Sequence, residues 1–178
     1  MKPSRTSPGR RACVAALAVL SAAAFAGCAG YRLGSMIPPD IRTIYISTFE
    51  NKTDEPLIEG EATRRVIRQV QEDGTLRVVR TREEADAILT GTLQAYNLTP
   101  IAYSEQERAR PNQYRIALRA SFAMTAAATG KVLVEDSDAY GEAVIQVTGD
   151  LSSAKRSGLP TAAEDLAHRI VRRMIEMW

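Results

Sequence analysis

The spacing of apolar residues predicts two amphipathic helices. Apolar side chains recur every three or four positions from Ile58 to Val70, charged residues occupy the other faces, and Asp73-Gly74 supplies a stop signal. Near the C-terminus, Thr161-Ala-Ala-Glu164 matches a capping box, in which both side chains satisfy amides at a helix start. The apolar stripe that follows consists of Leu166, Ile170, Val171, Met174, Ile175 and Trp178. We therefore predict one helix that ends near Gly74 and a second that starts at Thr161.

Alternating apolar and polar residues predict the strands of a sheet. The predicted strands are 41–49, 76–79, 87–98, 114–125 and 132–147. The clearest alternation places one apolar set on a single face: Tyr114, Ile116, Leu118, Ala120, Phe122 and Met124. Thr129-Gly-Lys131 indicates a hairpin turn, and we expect the last strand to break near 136–138. Polar residues predict loops at 104–112 and 148–160, and a charged connection with about one helical turn at 81–86.

The order of these elements predicts an α+β fold. A strand, a helix, three or four further strands and a final helix follow one another without an internal repeat. The natural packing is a mixed sheet of four to five strands with two amphipathic helices on one face. We expect residues 40–178 to form a single domain.

The first 27 residues differ from the rest of the chain. Lys2, Arg5, Arg10 and Arg11 precede an uncharged apolar run at 12–26, which is the layout of a secretory signal. The run is shorter than the roughly 20 residues that a transmembrane helix needs. We predict that residues 1–27 are a signal peptide and that the protein is exported.

Cys28 follows the predicted signal directly. Cys13 lies within the signal and would be removed with it, which leaves Cys28 without a disulfide partner. Phe25-Ala-Gly-Cys28 resembles a bacterial lipobox, although Phe25 stands where Leu is usual. There are two alternatives for Cys28: a lipidated N-terminal cysteine, or a secreted protein with a free thiol. In the first, several acyl chains anchor the protein, and each contributes about 0.8 kcal/mol per buried methylene.

Residues 28–39 read as a tether because Gly34 and the Pro38-Pro39 pair oppose regular structure. Ala29 stands where Asp would favour inner-membrane retention, so the resemblance implies delivery to the outer membrane.

Charge excludes one class of partner. The whole chain carries 23 Lys and Arg against 21 Asp and Glu, and loss of the signal leaves 19 cations. The mature chain is therefore close to neutral, without the basic footprint of a nucleic-acid-binding protein.

The polar residues do not form a recognisable catalytic or metal-binding set. His168 is the only histidine and is expected to be a solvated residue on the last helix. Glu83, Glu84 and Asp86 are adjacent acids on a charged connection, which usually face water in different directions. Neither a glycine-rich phosphate loop nor metal-ligand spacing is present, so the sequence argues against an enzyme.

Basic residues are the remaining candidates for binding. They lie on the polar face of the alternating strand or in the long loops: Arg108, Arg110, Arg115, Arg119, Lys131, Lys155 and Arg156. Guanidinium and ammonium groups can bind phosphates, and the alternative is an ordinary solvated surface.

Several short motifs, taken together, resemble the LptE family of lipopolysaccharide-assembly lipoproteins. After the lipobox the chain carries, in order, Gly30-Tyr-Arg-Leu-Gly34, Phe49-Glu-Asn-Lys-Thr53, Glu84-Ala-Asp-Ala-Ile-Leu-Thr-Gly91, Gln113-Tyr-Arg-Ile116 and Thr129-Gly-Lys-Val-Leu133. Each motif is weak alone, but their order and spacing cover nearly the whole mature chain.

The resemblance implies a non-enzymatic lipoprotein held at the periplasmic side of the outer membrane by the lipid on Cys28, without another cofactor. It would plug the β-barrel of an LptD-type translocon protein, assist assembly of that barrel and bind lipopolysaccharide during delivery to the cell surface. Basic residues in two loops are associated with lipopolysaccharide in the family, which here points to Arg108 and Arg110 and to Lys155 and Arg156.

A second resemblance leaves another class open. Phe49-Glu-Asn-Lys-Thr53 after a first strand and Glu84-Ala-Asp86 before a later one are also similar to the amino-terminal domain of TolB. That domain is a periplasmic protein-interaction module, so this alternative is a lipoprotein of envelope maintenance.

Overall fold

The computed structural model describes residues 40–103 and 110–176. The predicted signal and tether, Cys28, Arg108, Trp178 and most of the predicted loop at 104–112 lie outside the described residues. The elements in chain order are β1 (Thr43–Ile46), β2 (Glu50–Asn51), α1 (Ile58–Asp73), β3 (Arg77–Val78), β4 (Ala87–Tyr103), β5 (Pro111–Ala126), β6 (Val132–Gln146) and α2 (Leu151–Glu176).

The strands form one mixed sheet of six strands. Its order is β3-β1-β4-β5-β6, with β2 also paired to β4. β1 and β2 run parallel to β4, whereas β4, β5 and β6 form an antiparallel meander. The α+β prediction is confirmed. The sheet has one strand more than expected because Glu50–Asn51, just after the predicted strand at 41–49, pairs with β4 as the short strand β2.

Both helices pack on one face of the sheet and against each other. In α1 the predicted stripe is buried at Ile58, Ala62, Val66 and Val70. Gly74 ends α1 with φ 75°, and its N–H donates to the carbonyl of Val70 at 3.2 Å, which is the left-handed cap that glycine favours. The helix therefore ends where the sequence predicts.

The long antiparallel strands confirm the predicted alternation. On β5 the side chains of Ile116, Leu118, Ala120, Phe122 and Met124 are buried under the helices. The predicted break in β6 is a β-bulge instead. Ala120 pairs with Ala139 but Phe122 pairs with Asp136, so β6 has one extra residue there and remains continuous.

The start of α2 contradicts the sequence prediction. The segment predicted as a loop at 148–160 is helical from Leu151 onward, with Pro160 inside the helix. The carboxylate of Asp150 accepts the N–H of Ser153 at 2.8 Å and so caps the first turn. Packing outweighs the poor helix propensity of this segment, because Gly158 is buried and Leu151, Ala154 and Leu159 pack against the core.

Three further predictions need correction. Thr161-Ala-Ala-Glu164 is not a capping box but lies inside α2, where the Glu164 carboxylate binds the guanidinium of Arg65 on α1 at 3.0 Å. Residues 81–86 form turns and bends without a helix, and β4 extends to Tyr103, beyond the predicted end at 98.

Candidate binding surface

One face of the sheet is not covered by either described helix. We call it the helix-free face and define it by the side chains that alternate with the core positions of the three long strands: Thr90, Thr92, Arg115, Arg119, Ser121 and Glu142. A shallow depression of about 570 Å³ adjoins this face, lined by Thr90, Thr92, Ser121, Glu135 and Ser137 together with Phe122 and with Arg173 of α2. Hydroxyl and charged groups therefore dominate a broad and accessible surface.

The predicted cations on this face are paired with acids. The Arg115 guanidinium lies 3.8 Å from the Glu142 carboxylate, and Arg119 forms a close ion pair with Asp138. Both pairs join β5 to β6. Because the pairs are exposed, each contributes little to stability, about 0–1 kcal/mol. These arginines could exchange their partners for groups on another molecule.

Lys155 lies in a different environment from the one predicted. It is on the second turn of α2, only 27% of its side chain is exposed, and its ammonium group is 2.6 Å from the Glu55 carboxylate. The same ammonium lies 5.3 Å from the centroid of the Tyr96 ring. Lys155 therefore links α2 to β4 and to the segment before α1.

Tyr96 is partly buried, and its hydroxyl oxygen is shielded from solvent. Burial, assisted by the negative charge of Glu55, raises the pKa of Tyr96 to about 12. Its hydroxyl has no hydrogen-bond partner within 40–103 and 110–176. The ring is therefore a packing surface for Lys155.

Arg110 and Arg156 lie at the same end of the sheet as Lys155. Arg156 is exposed on α2, and its guanidinium is 3.3 Å from the Ser153 hydroxyl. Arg110 is exposed immediately before β5. The hydrogen bond from Val147 N–H to the Asn112 carbonyl, 2.8 Å, holds the start of β5 beside the segment that leads into α2. Arg110 and Arg156 are thus brought to one end of the fold, whereas Lys131 is exposed in the hairpin turn at the opposite end of β5.

Asp86 does not belong to the exposed acids. Glu83, Glu84 and His168 are exposed, as predicted. The Asp86 carboxylate, however, accepts the backbone N–H groups of Arg42 and Thr43 and the Thr43 hydroxyl, each at 2.9 Å. Hydrogen bonds from Arg42 and then from Thr43 lower the pKa of Asp86. This carboxylate is a structural link between β1 and β4, and its sequence position gave no sign of that.

A second group of arginines was not predicted. Arg173 of α2 binds the Asp136 carboxylate at 3.1 Å, beside the bulge in β6. Arg169 stacks 4.0 Å from the centroid of the Tyr140 ring and binds Asp165 at 3.2 Å. The contacts of Arg173 with Asp136 and of Arg169 with Tyr140 fasten α2 to the outer edge of the sheet, and only the fold brings these partners together. The Arg169–Asp165 pair lies within α2.

The arrangement defines a small α+β domain with a polar sheet surface and basic residues at one end. No helix in the described part of the chain is long and apolar enough to cross a membrane. The family model for LptE, described as lipopolysaccharide-assembly, matches residues 41–174. The chain therefore belongs to the LptE family, which confirms the first of the two resemblances.

The chain is similar to several solved structures at low sequence identity. A Xanthomonas campestris protein of the DUF330 family has a TM-score of 0.50 at 8% identity, covering 75% of this chain and 86% of that chain. Lipoprotein B from Nitrosomonas europaea has a TM-score of 0.49 at 14% identity, with coverage of 77% and 84%. A minor lipoprotein from Acinetobacter baumannii has a TM-score of 0.47 at 11% identity, with coverage of 76% and 92%. No curated protein matches the chain in a direct sequence comparison.

Proposed function

We propose that this protein is the lipoprotein subunit of an outer-membrane lipopolysaccharide translocon. In this role it is anchored by acyl chains on Cys28, plugs and helps to assemble an LptD-type β-barrel, and binds lipopolysaccharide on its way to the cell surface. The observation that carries the proposal is the match of the LptE family model to residues 41–174. The role is one of binding and assembly rather than catalysis.

The helix-free face supports the role of a plug. The interior of a large outer-membrane barrel is polar and wet, so a protein inside it needs a polar surface over a closed core of its own. Thr90, Thr92 and Ser121 provide uncharged hydrogen-bonding groups on this face, and the exposed pairs Arg115–Glu142 and Arg119–Asp138 provide charges of both signs. We assign this face to the barrel wall.

The basic end of the fold supports binding to lipopolysaccharide. Arg108, Arg110, Lys155 and Arg156 are the candidates, because cations can compete for lipid A phosphates that divalent ions otherwise bridge. Among them, Arg156 is exposed, whereas Lys155 already binds Glu55. We therefore expect the arginines to contribute more to ligand affinity and Lys155 to contribute more to stability.

The test compares two triple variants with the same change in charge. One replaces Arg108, Arg110 and Arg156 with Ser; the other replaces Arg77, Arg80 and Arg82, exposed arginines that precede β4 at the other end of the sheet. We expect the first variant to bind purified lipopolysaccharide at least about tenfold more weakly, with retained secondary structure, and the second to bind like wild type. Equal affinity in both variants would remove these arginines from the proposal. Lys155→Met is measured separately, since it also removes a structural ion pair.

A further inference from the structure

The uncovered stretch of β4 after Leu93 and the edge strand β6 are protected to different extents. Pro100 on β4 pairs with Tyr114 on β5. Because the backbone N–H and C=O of Tyr114 face β6, those of β4 at this pair face away from β5, toward the outer edge. The Pro100 nitrogen at this edge has no hydrogen to donate. A proline at that position opposes the addition of another strand. The sequence of β6, from Val132 to Gln146, contains no proline.

Helix α2 closes only part of the β6 edge. The Val147 N–H donates to the Asn112 carbonyl, which fixes the pairing so that Glu142, Val144 and Gln146 direct their backbone groups away from β5. The Asp165 carboxylate accepts the Glu142 N–H at 2.9 Å. Asp165 thus occupies the position that a carbonyl of an added strand would take. The amides of Val144 and Gln146 lie beyond it, without a hydrogen-bond acceptor among the described residues.

A groove lies beside these open backbone groups. It has a volume of about 470 Å³, with the β6 edge on one side and three hydroxyl side chains of α2, Ser153, Ser157 and Thr161, on the other. The Val144 side chain is 61% exposed and lies on the side of the sheet that carries Arg115 and Glu142. The groove therefore continues the helix-free face that we assign to the barrel.

We propose that the groove between the β6 edge and α2 binds an extended segment of the barrel partner as an additional strand next to Val144 and Gln146. This inference rests on the proposed function for the identity of the partner. A closed barrel wall has no free strand edge, so the segment must come from a loop or a terminal arm outside the wall. Because Asp165 blocks the edge at Glu142, the segment is short, about three to five residues.

The groove also specifies the side chains of this segment. Alternate residues of an added strand point to opposite faces. One set would meet the hydroxyls of Ser153 and Ser157, which favours small polar residues, and the other would lie beside Val144, which favours a β-branched apolar residue. We expect an uncharged segment in which these two types alternate.

A substitution at Val144 separates the backbone contact from the side-chain contact. Val144→Pro removes an N–H that faces away from β5, so it should leave the sheet intact, whereas Val144→Thr keeps both the N–H and the β-branched shape. The readout is the affinity of purified lipidated protein for the purified barrel protein in detergent. We expect Val144→Thr to bind like wild type and Val144→Pro to bind at least about tenfold more weakly.

The binding results distinguish a failure of the added strand from a failure of the proposed function. Equal binding by Val144→Pro and wild type would overturn the added strand and leave the proposed function standing, whereas absence of binding by wild type would overturn both. If Val144→Pro does not fold, hydrogen exchange of the wild-type protein, alone and in the complex, tests whether a strand is added at the β6 edge. Slower exchange of the Val144 and Gln146 amides in the complex, by about tenfold or more, supports the added strand, and unchanged exchange contradicts it.

Discussion

At Gly141 on β6, the backbone of α2 approaches the sheet closely enough to exclude a side chain. A Cβ built there would lie 2.4 Å from both the carbonyl oxygen of Ala162 and the nitrogen of Leu166. Ordinary contacts of this kind need about 3.5 Å, so Gly141→Ala requires α2 to retreat by about 1 Å. Overpacking of a core typically costs about 1–3 kcal/mol, and we expect a value near the upper end because backbone atoms cannot rotate away.

We therefore predict that Gly141→Ala lowers the free energy of unfolding by about 3 kcal/mol and the Tm by about 10 °C. Urea unfolding followed by circular dichroism measures the first quantity, and thermal unfolding measures the second. The matched control is Gly149→Ala, where a Cβ meets no atom within 4 Å and where we expect a change below about 0.5 kcal/mol. A Gly141→Ala variant as stable as that control would refute the packing of α2 on β6.

Three further experiments test the contacts around the sheet. Asp86→Ala should cost about 2 kcal/mol, because it leaves the N–H groups of Arg42 and Thr43 without their acceptor. Since the folded-state pKa of Asp86 is lowered, its contribution is present above pH ~4 and is lost as the pH falls through the folded value, so the variant should show a flatter acid dependence of urea stability. Lys155→Met, combined with Glu55→Gln in a double-mutant cycle, should give a coupling free energy of about 1 kcal/mol, and additive effects would contradict the ion pair. Asp150→Ala should speed amide exchange at the start of α2 several-fold, and unchanged exchange at Ser153 would show that the cap is unimportant.

Periodicity was sufficient for the elements whose local pattern agrees with their packing. α1 combines an apolar stripe with Gly74 as its stop, and β5 alternates over its full buried length, so both follow from short-range sequence. The hairpin turn is of the same kind, because Gly130 has φ 67°, a conformation that glycine adopts readily.

The start of α2 could not be predicted because its stability comes from distant residues. Ser152, Ser153, Gly158 and Pro160 all weaken a helix locally. The segment is nevertheless helical where Gly158 packs against Ile145 and Lys155 reaches Glu55 across a separation of 100 residues. A local pattern that favours a loop was outweighed by these tertiary contacts.

The candidate binding residues also divide into features that follow from local sequence and features that depend on tertiary contacts. The sequence predicted that Arg115 and Arg119 lie on the polar face of β5, but their acidic partners Glu142 and Asp138 follow only from the register with β6. The groove beside Val144 depends on that register together with the unexpected first turns of α2. Neither feature has a local sequence signal.

The most direct test of the central claim is the mass of the native assembly. The protein, tagged at its C-terminus, is purified from detergent-solubilised outer membranes and measured by native mass spectrometry. We predict one barrel protein bound to one chain that begins at an acylated Cys28. A chain recovered alone with an unmodified N-terminus would contradict the account.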